Sequence, residues 1–233
     1  MADQAGFDAS LRASKSSPPR EVSQAVLIRV VAHRLLAGGM HLTEAIFARR
    51  AVRSYQPLAV DERTIERLLD AAVQAPSAMN SQSWGFAIVQ DRARLRRYSD
   101  IAKSLLLEGT AHDPKISHYS RLLANEDFNV FYDASTLIVI CATAGGRYAE
   151  ADCWLAAQNL MLEACEIGLG SCPIGFAVAA LNTPAIKREL AIPENGVAVA
   201  PIIVGYATAE VPAVPRSAPR VLSWDVRIKS SES

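Results

Sequence analysis

The order of apolar and polar positions divides this chain into a few strongly patterned segments. Residues 22 to 36 read as a helix whose apolar positions span too wide an arc for a solvated helix, so the core or a partner subunit covers it. Gly38 and Gly39 stop it. A second helix is predicted from Thr43, a good N-cap, to about Arg50. The third is the clearest: Asp61 caps it, Val60 and Ile65 form a hydrophobic staple, and Ile65, Leu68, Leu69 and Ala72 line one face before Pro76. Trp84 to Val89 reads as a strand, and a charged helix follows from about Ala93 to Leu107. Ser135 to Ala142 is apolar and β-branched almost throughout, the pattern of a central strand covered on both faces. A long apolar helix is predicted from about Ala149 to Ile167, and Thr183-Pro184 marks another helix start. Val197 to Tyr206 is the last core strand, with Pro201 arguing for an edge or a bulge.

These elements predict one α+β domain, a mixed central sheet flanked by helices, without an internal repeat. Residues 1 to 20 form a loose polar tail, 21 to 42 a helical extension, 43 to 224 the domain with a C-terminal arm, and 225 to 233 a polar tail. The stretch from Glu108 to Asn129 is mixed and reads as short helices forming a lid. The proline-studded C-terminus reads as an extended arm that a partner uses.

Composition narrows the function classes. The 24 basic and 24 acidic side chains balance, which argues against nucleic acid as a main partner. No run of eighteen uncharged apolar residues suggests a membrane span, and the N-terminus does not read as a secretory signal. Cys141, Cys153, Cys165 and Cys172 lack metal-site spacing and read as buried thiols of a reducing compartment, so a cytoplasmic protein is expected.

Three constellations carry candidate chemistry. Arg49, Arg50 and Arg53 cluster at a predicted helix end; if the helix continues, Arg49 and Arg53 share a face and can grip one anion. From spacing alone, the plainer reading is a solvated helix end, where arginines suit the negative end of the dipole. Ser77, Met79, Asn80, Ser81, Gln82 and Ser83 form a polar loop between a firm helix and a firm strand, where amides suit the edge of a heterocycle, or where an ordinary turn lies. Gly168-Leu169-Gly170-Ser171-Cys172-Pro173 fails as a dinucleotide fingerprint, because it follows a helix and has proline at the third glycine; a helix cap and turn fits better. No nucleophile elbow, zinc motif or phosphate loop is present, which suits a protein whose cofactor does the chemistry.

In this order, five stretches resemble the FMN-dependent nitroreductase family: Ile46 to Tyr55, Ala75 to Phe86, Tyr132 to Ala142, Ala156 to Phe176 and Pro201 to Tyr206. The resemblance implies a homodimer with two FMN sites built from both subunits. It assigns Arg49 to the FMN phosphate, Arg50 to the phosphate and ribityl chain, and Arg53 to the pyrimidine side of the ring. Pro76, Ser77, Ala78, Met79 and Asn80 would pack on the flavin from the other subunit, with Gln82 supporting that loop. Pro173, Ile174 and Gly175 would pass the reactive edge, where a backbone N–H meets N5, and Arg216 or Arg220 would complete the phosphate grip. The sequence departs from the family at Ala51, often serine, at Ser83, often proline, and in lacking an acid before Gly175.

The activity so implied is ping-pong hydride transfer from NADH or NADPH through flavin N5 to a small electron-poor acceptor, such as a nitroaromatic or quinone. Arg53 and Gly175 would carry the catalytic contacts. The rivals are reductive dehalogenation, flavin reduction or oxidative dehydrogenation on the same scaffold, a non-catalytic flavin-holding protein, and a flavin-free interaction domain. No metal is implied.

Overall fold

The computed structural model describes residues 40–109 and 119–224, so the helix expected over 22 to 36, both tails and part of the expected lid lie outside the described residues. The chain divides after Met40 into two units, and the architecture below is that of the second.

Its centre is a four-stranded sheet: β1 (Trp84–Val89), β2 (Thr136–Ala142), β3 (Gly170–Pro173) and β4 (Val197–Gly205), ordered β1-β2-β4-β3. Every pairing of these strands is antiparallel, which corrects the expected mixed sheet; its parallel component is one bridge, Ala51 to Ser171. The helices are α1 (Leu42–Ala48), α2 (Glu62–Val73), α3 (Arg92–Gly109), α4 (Ser120–Leu123), α5 (Ala149–Glu166), α6 (Val178–Leu181) and α7 (Pro184–Glu189).

All seven residues of β2 are buried, as a strand covered on both faces requires. The pleat sends Leu137, Val139 and Cys141 toward Leu95, Tyr98 and Ala102 of α3 and toward Phe131. It sends Ile138, Ile140 and Ala142 toward Leu68 and Ala72 of α2 and Cys153, Ala156 and Leu160 of α5. Each such large aliphatic side chain contributes roughly 1.5–3 kcal/mol on burial, so β2 anchors both layers. Burial also pushes the Cys141 thiol up to about 11 and that of Cys153 up to about 12, keeping both neutral.

The caps explain where the helices start and stop. Asp61 caps α2 as expected: it accepts from the Thr64 amide at 2.9 Å and the Thr64 hydroxyl at 2.7 Å. For α1 the expected cap moves from Thr43 to His41, whose N–H donates to the Glu44 carboxylate at 3.1 Å. Helix α5 ends in a left-handed glycine turn, with Gly168 at φ 83, Leu169 N–H on the Ala164 carbonyl at 2.7 Å and Gly168 N–H on that of Cys165 at 3.1 Å. The glycine-rich stretch is therefore a cap followed by β3.

Pro201 is not on an edge, since β4 lies between β2 and β3. A bulge accompanies it: Ile140 pairs with Ala200 and Cys141 with Ala198, leaving Val199 extra. The Pro201 carbonyl accepts from Ile174 at 2.8 Å, beyond the last rung of β3, so its missing N–H falls on the side where no ladder donor is needed.

Candidate functional site

Helix α1 ends at Ala48, earlier than expected, and Arg49 has an extended backbone (φ −56°, ψ 130°). Arg49 and Arg53 therefore do not share a helix face. The chain instead runs beside β3, where Val52 N–H donates to the Ser171 carbonyl at 3.1 Å and Ala51 bridges Ser171. Alternate residues of an extended run point to one side, and against the burial that raises the Cys172 thiol, Arg53 and Arg49 both lower it from along that run.

Two glycines make room for this run. Gly170 and Gly205 face each other on one rung between β3 and β4. A Cβ on Gly170 would lie 2.8 Å from three side-chain atoms of Val52, and one on Gly205 would lie 2.9 Å from the Tyr55 ring. The absent side chains form a slot that receives Val52 and Tyr55. The Tyr55 hydroxyl then donates to the Val52 carbonyl at 2.8 Å, and burial pushes its phenol far above the usual range.

Each arginine has its own setting. Arg50 Nη1 donates to the Phe47 carbonyl at 2.6 Å and the Arg49 carbonyl at 2.9 Å, capping α1, while its Nε is buried without a partner. The exposed Arg53 guanidinium lies 5.9 Å from the centre of the Tyr132 ring. Burial raises the Cys172 thiol and the Tyr132 phenol, whereas Arg53 pulls both down. Tyr132 and Asp133 are both left-handed (φ 52° and 54°), and the turn is tied by Asn129, which donates to Asp133 at 2.8 Å and accepts from Phe131 N at 2.9 Å. This strained turn sets the ring under Arg53.

Beyond β3 the chain passes Pro173 and Ile174 to Gly175. Ile174 spends its amide on Pro201, while Gly175 is exposed and a Cβ there would meet nothing within 4 Å. Phe176 meets Tyr119 edge to face, with centroids 5.3 Å apart.

The polar loop sits elsewhere on the subunit. Pro76, Ser77 and Ala78 border a groove of about 330 Å³ with Tyr148, Asp152 and Leu155 around the first turns of α5. Within it Met79, Asn80 and Gln82 are left-handed (φ 52°, 53° and 47°), and Met79 is fully exposed. Gln82 N–H donates to Ser77 Oγ at 3.0 Å, and Gln82 Nε2 to Asn80 Oδ1 at 3.1 Å. One subunit thus gathers the arginines with the turn after β3, and presents the loop against α5. Arg216 and Arg220 stand exposed on the extended arm, which leaves the body where Thr208 and Ala207 bond to Ser54 and Gln56.

Sequence reasoning missed Asp152, Tyr132 and Tyr55 as participants. Asp152 was discoverable as a charge on the apolar stripe of α5. Asn129, three residues before Tyr132, hinted at the left-handed turn.

Residues 46–206 match the nitroreductase family. A putative NADH dehydrogenase/NAD(P)H nitroreductase of Archaeoglobus fulgidus is 30% identical over 170 residues, 71% of this chain and 84% of that protein. A nitroreductase of Desulfitobacterium hafniense, solved with bound FMN, superposes with a TM-score of 0.70 at 21% identity, covering 80% of this chain and 100% of that one. One from Bacteroides fragilis, also with bound FMN, gives 0.67 at 24% identity, covering 80% and 98%.

The slot yields a direct test. Gly170→Ala should destabilise the fold by about 1–3 kcal/mol through overpacking against Val52, and Val52→Ala in the same chain should recover part of that loss. Urea denaturation of the single and double variants measures it; additive losses would contradict the close approach.

Proposed function

Because this chain belongs to the nitroreductase family, we propose that it is an FMN-dependent oxidoreductase that takes a hydride from NADH or NADPH and reduces a small electron-poor acceptor in a ping-pong cycle. The observation that carries the reading is the run from Arg49 to Arg53, held against β3 beside the open turn at Gly175.

The donor set fits a phosphate-bearing flavin. Among the described residues no carboxylate forms an ion pair with Arg49 or Arg50, and the Arg50 Nε is a buried donor without an acceptor. Guanidinium groups match phosphate oxygens in charge and geometry. In this reading Arg49 holds the phosphate, Arg50 lies along the ribityl chain, and Arg53 keeps a positive charge at the pyrimidine edge. Tyr132 braces Arg53, and the backbone at Gly175 presents an N–H toward the reactive edge. The bound FMN found in similar structures supports this assignment. FMN, when bound, supplies a two-electron carrier that protein side chains lack. A fixed cation at Arg53 favours the charge that appears on reduction, because it is already oriented and needs no reorganisation.

The remaining flavin contacts would come from a second copy, whose Pro76 to Gln82 loop covers the ring. The exposed apolar side chains Leu42, Ile46 and Phe47 of α1 and Leu222 and Trp224 of the arm support such a dimer, since surfaces of this kind seek cover.

The purified protein should be yellow and should bleach anaerobically with NADH or NADPH; a colourless protein that takes up no FMN would overturn the proposal. Arg49→Ala should weaken FMN by about 1.5–3 kcal/mol and riboflavin far less, because only FMN offers the anion. Fluorescence titration with both ligands measures this, and equal weakening would move the phosphate away from Arg49.

A further inference from the structure

Asp152 places a charge where the helical pattern calls for an apolar residue. It lies one turn after Ala149 and one turn before Ala156 on the buried stripe of α5, and it is only 4% exposed. A buried carboxylate is unfavourable unless nearby N–H groups compensate it. The helix N-terminus supplies part of that compensation. The rest comes from outside the helix: the amide of Ala78 lies 3.2 Å from both Asp152 oxygens.

This bond reaches a loop whose other hydrogen bonds are largely internal to it. Met79, Asn80 and Gln82 adopt left-handed conformations that disfavour residues with side chains. Burial does not hold them, since Met79, Asn80, Ser81 and Gln82 are all exposed. Ser77 Oγ ties one end through Gln82 N–H, and Asp152 ties the other through Ala78. Inside the loop Asn80 and Ser81 N–H donate to the Ser77 and Ala78 carbonyls at 3.0 and 3.1 Å, so Asp152 is the contact that ties this self-bonded turn to α5.

We propose that Asp152 is a positioning residue: through the Ala78 amide it fixes the Ser77–Gln82 loop in the shape that receives a flavin seated on the neighbouring subunit. This inference rests on the flavin reading above, but it assigns a task to a side chain on α5, a helix that carries none of the flavin contacts proposed there.

Asp152→Asn and Asp152→Ala separate positioning from charge. Asparagine keeps a carbonyl oxygen within reach of Ala78, whereas alanine leaves that amide without an acceptor. The first measurement is hydrogen exchange of residues 76 to 83 in FMN-free protein; the second is the FMN dissociation constant by fluorescence quenching. In Asp152→Ala the loop amides should exchange faster while α2 and β1 do not change, and FMN should bind about ten- to a hundredfold more weakly, the loss of one hydrogen bond to a charged group. Asp152→Asn should stay within about threefold of the parent in affinity, as one neutral hydrogen bond replaces a charged one. Parent-like exchange and affinity in Asp152→Ala would overturn the proposal. So would an Asn variant as impaired as the Ala variant, since charge rather than the bond would then matter. If Asp152→Ala does not fold, Asp152→Ser, whose hydroxyl is too short to reach Ala78, is held to the same outcomes. A parent protein that binds no FMN would defeat the flavin reading, while the exchange arm alone would decide whether Asp152 holds the loop.

Discussion

The amide of Val52 donates to the carbonyl of Ser171, and this bridge seats the run from Arg49 to Arg53 beside β3. β3 is referenced to β4 over four rungs, and β4 to β2, the strand buried on both faces. The arginine run is therefore aligned, through β3 and β4, with the most deeply buried strand of the sheet. Its approach depends on what is missing, because Gly170 and Gly205 leave a slot that any Cβ would close. Once Val52 and Tyr55 occupy the slot, Arg53 emerges beside Tyr132 and Cys172, and the arm after Gly205 leaves along Ser54 and Gln56. Binding groups that must hold a ligand precisely are better built on strands than on free loops, and this run borrows a strand's rigidity.

The rest of the molecule shows the opposite economy of contact. The loop from Ser77 to Gln82 is strained, bonded mostly to itself and tied to α5 through Asp152, and its apolar tip at Met79 is exposed. α1 and the arm likewise leave large apolar side chains in water. A shared site accounts for both features. In the proposed dimer the loop of one copy would lie over the arginine run of the other, and the apolar faces would gain a partner. Strain in such a loop is tolerated when its conformation is one that a ligand or partner uses.

Much of the fold was legible in the sequence. The continuous β-branched run of β2 and the Asp61 cap of α2 are local signals, and both stand where they were predicted. Strand direction was less legible, because hydrophobic periodicity does not encode which neighbour a strand takes. The spacing of Arg49 and Arg53 suggested one helix face, but the helix ends at Ala48 and the two follow an extended run, in which positions four apart also point to one side. Pro201 signalled a bulge correctly, though it lies inside the sheet rather than at an edge. Asp152 escaped notice because an acid in the first turns of a helix ordinarily complements the dipole, and only the fold brings Ala78 to it. Tyr132 escaped because its left-handed backbone, set by the Asn129 side chain, is what turns its ring toward Arg53.

In the proposed dimer the arginine run of one copy and the loop of another make one flavin site. Chains carrying Arg49→Ala and chains carrying Asp152→Ala can be co-expressed with different tags and the mixed dimer isolated. Each variant alone damages both of its sites. In the mixed dimer one site receives both lesions and the other receives neither, so FMN titration should recover about one tightly held flavin per pair of chains. A mixed dimer that binds FMN no more tightly than either variant alone would contradict the shared site.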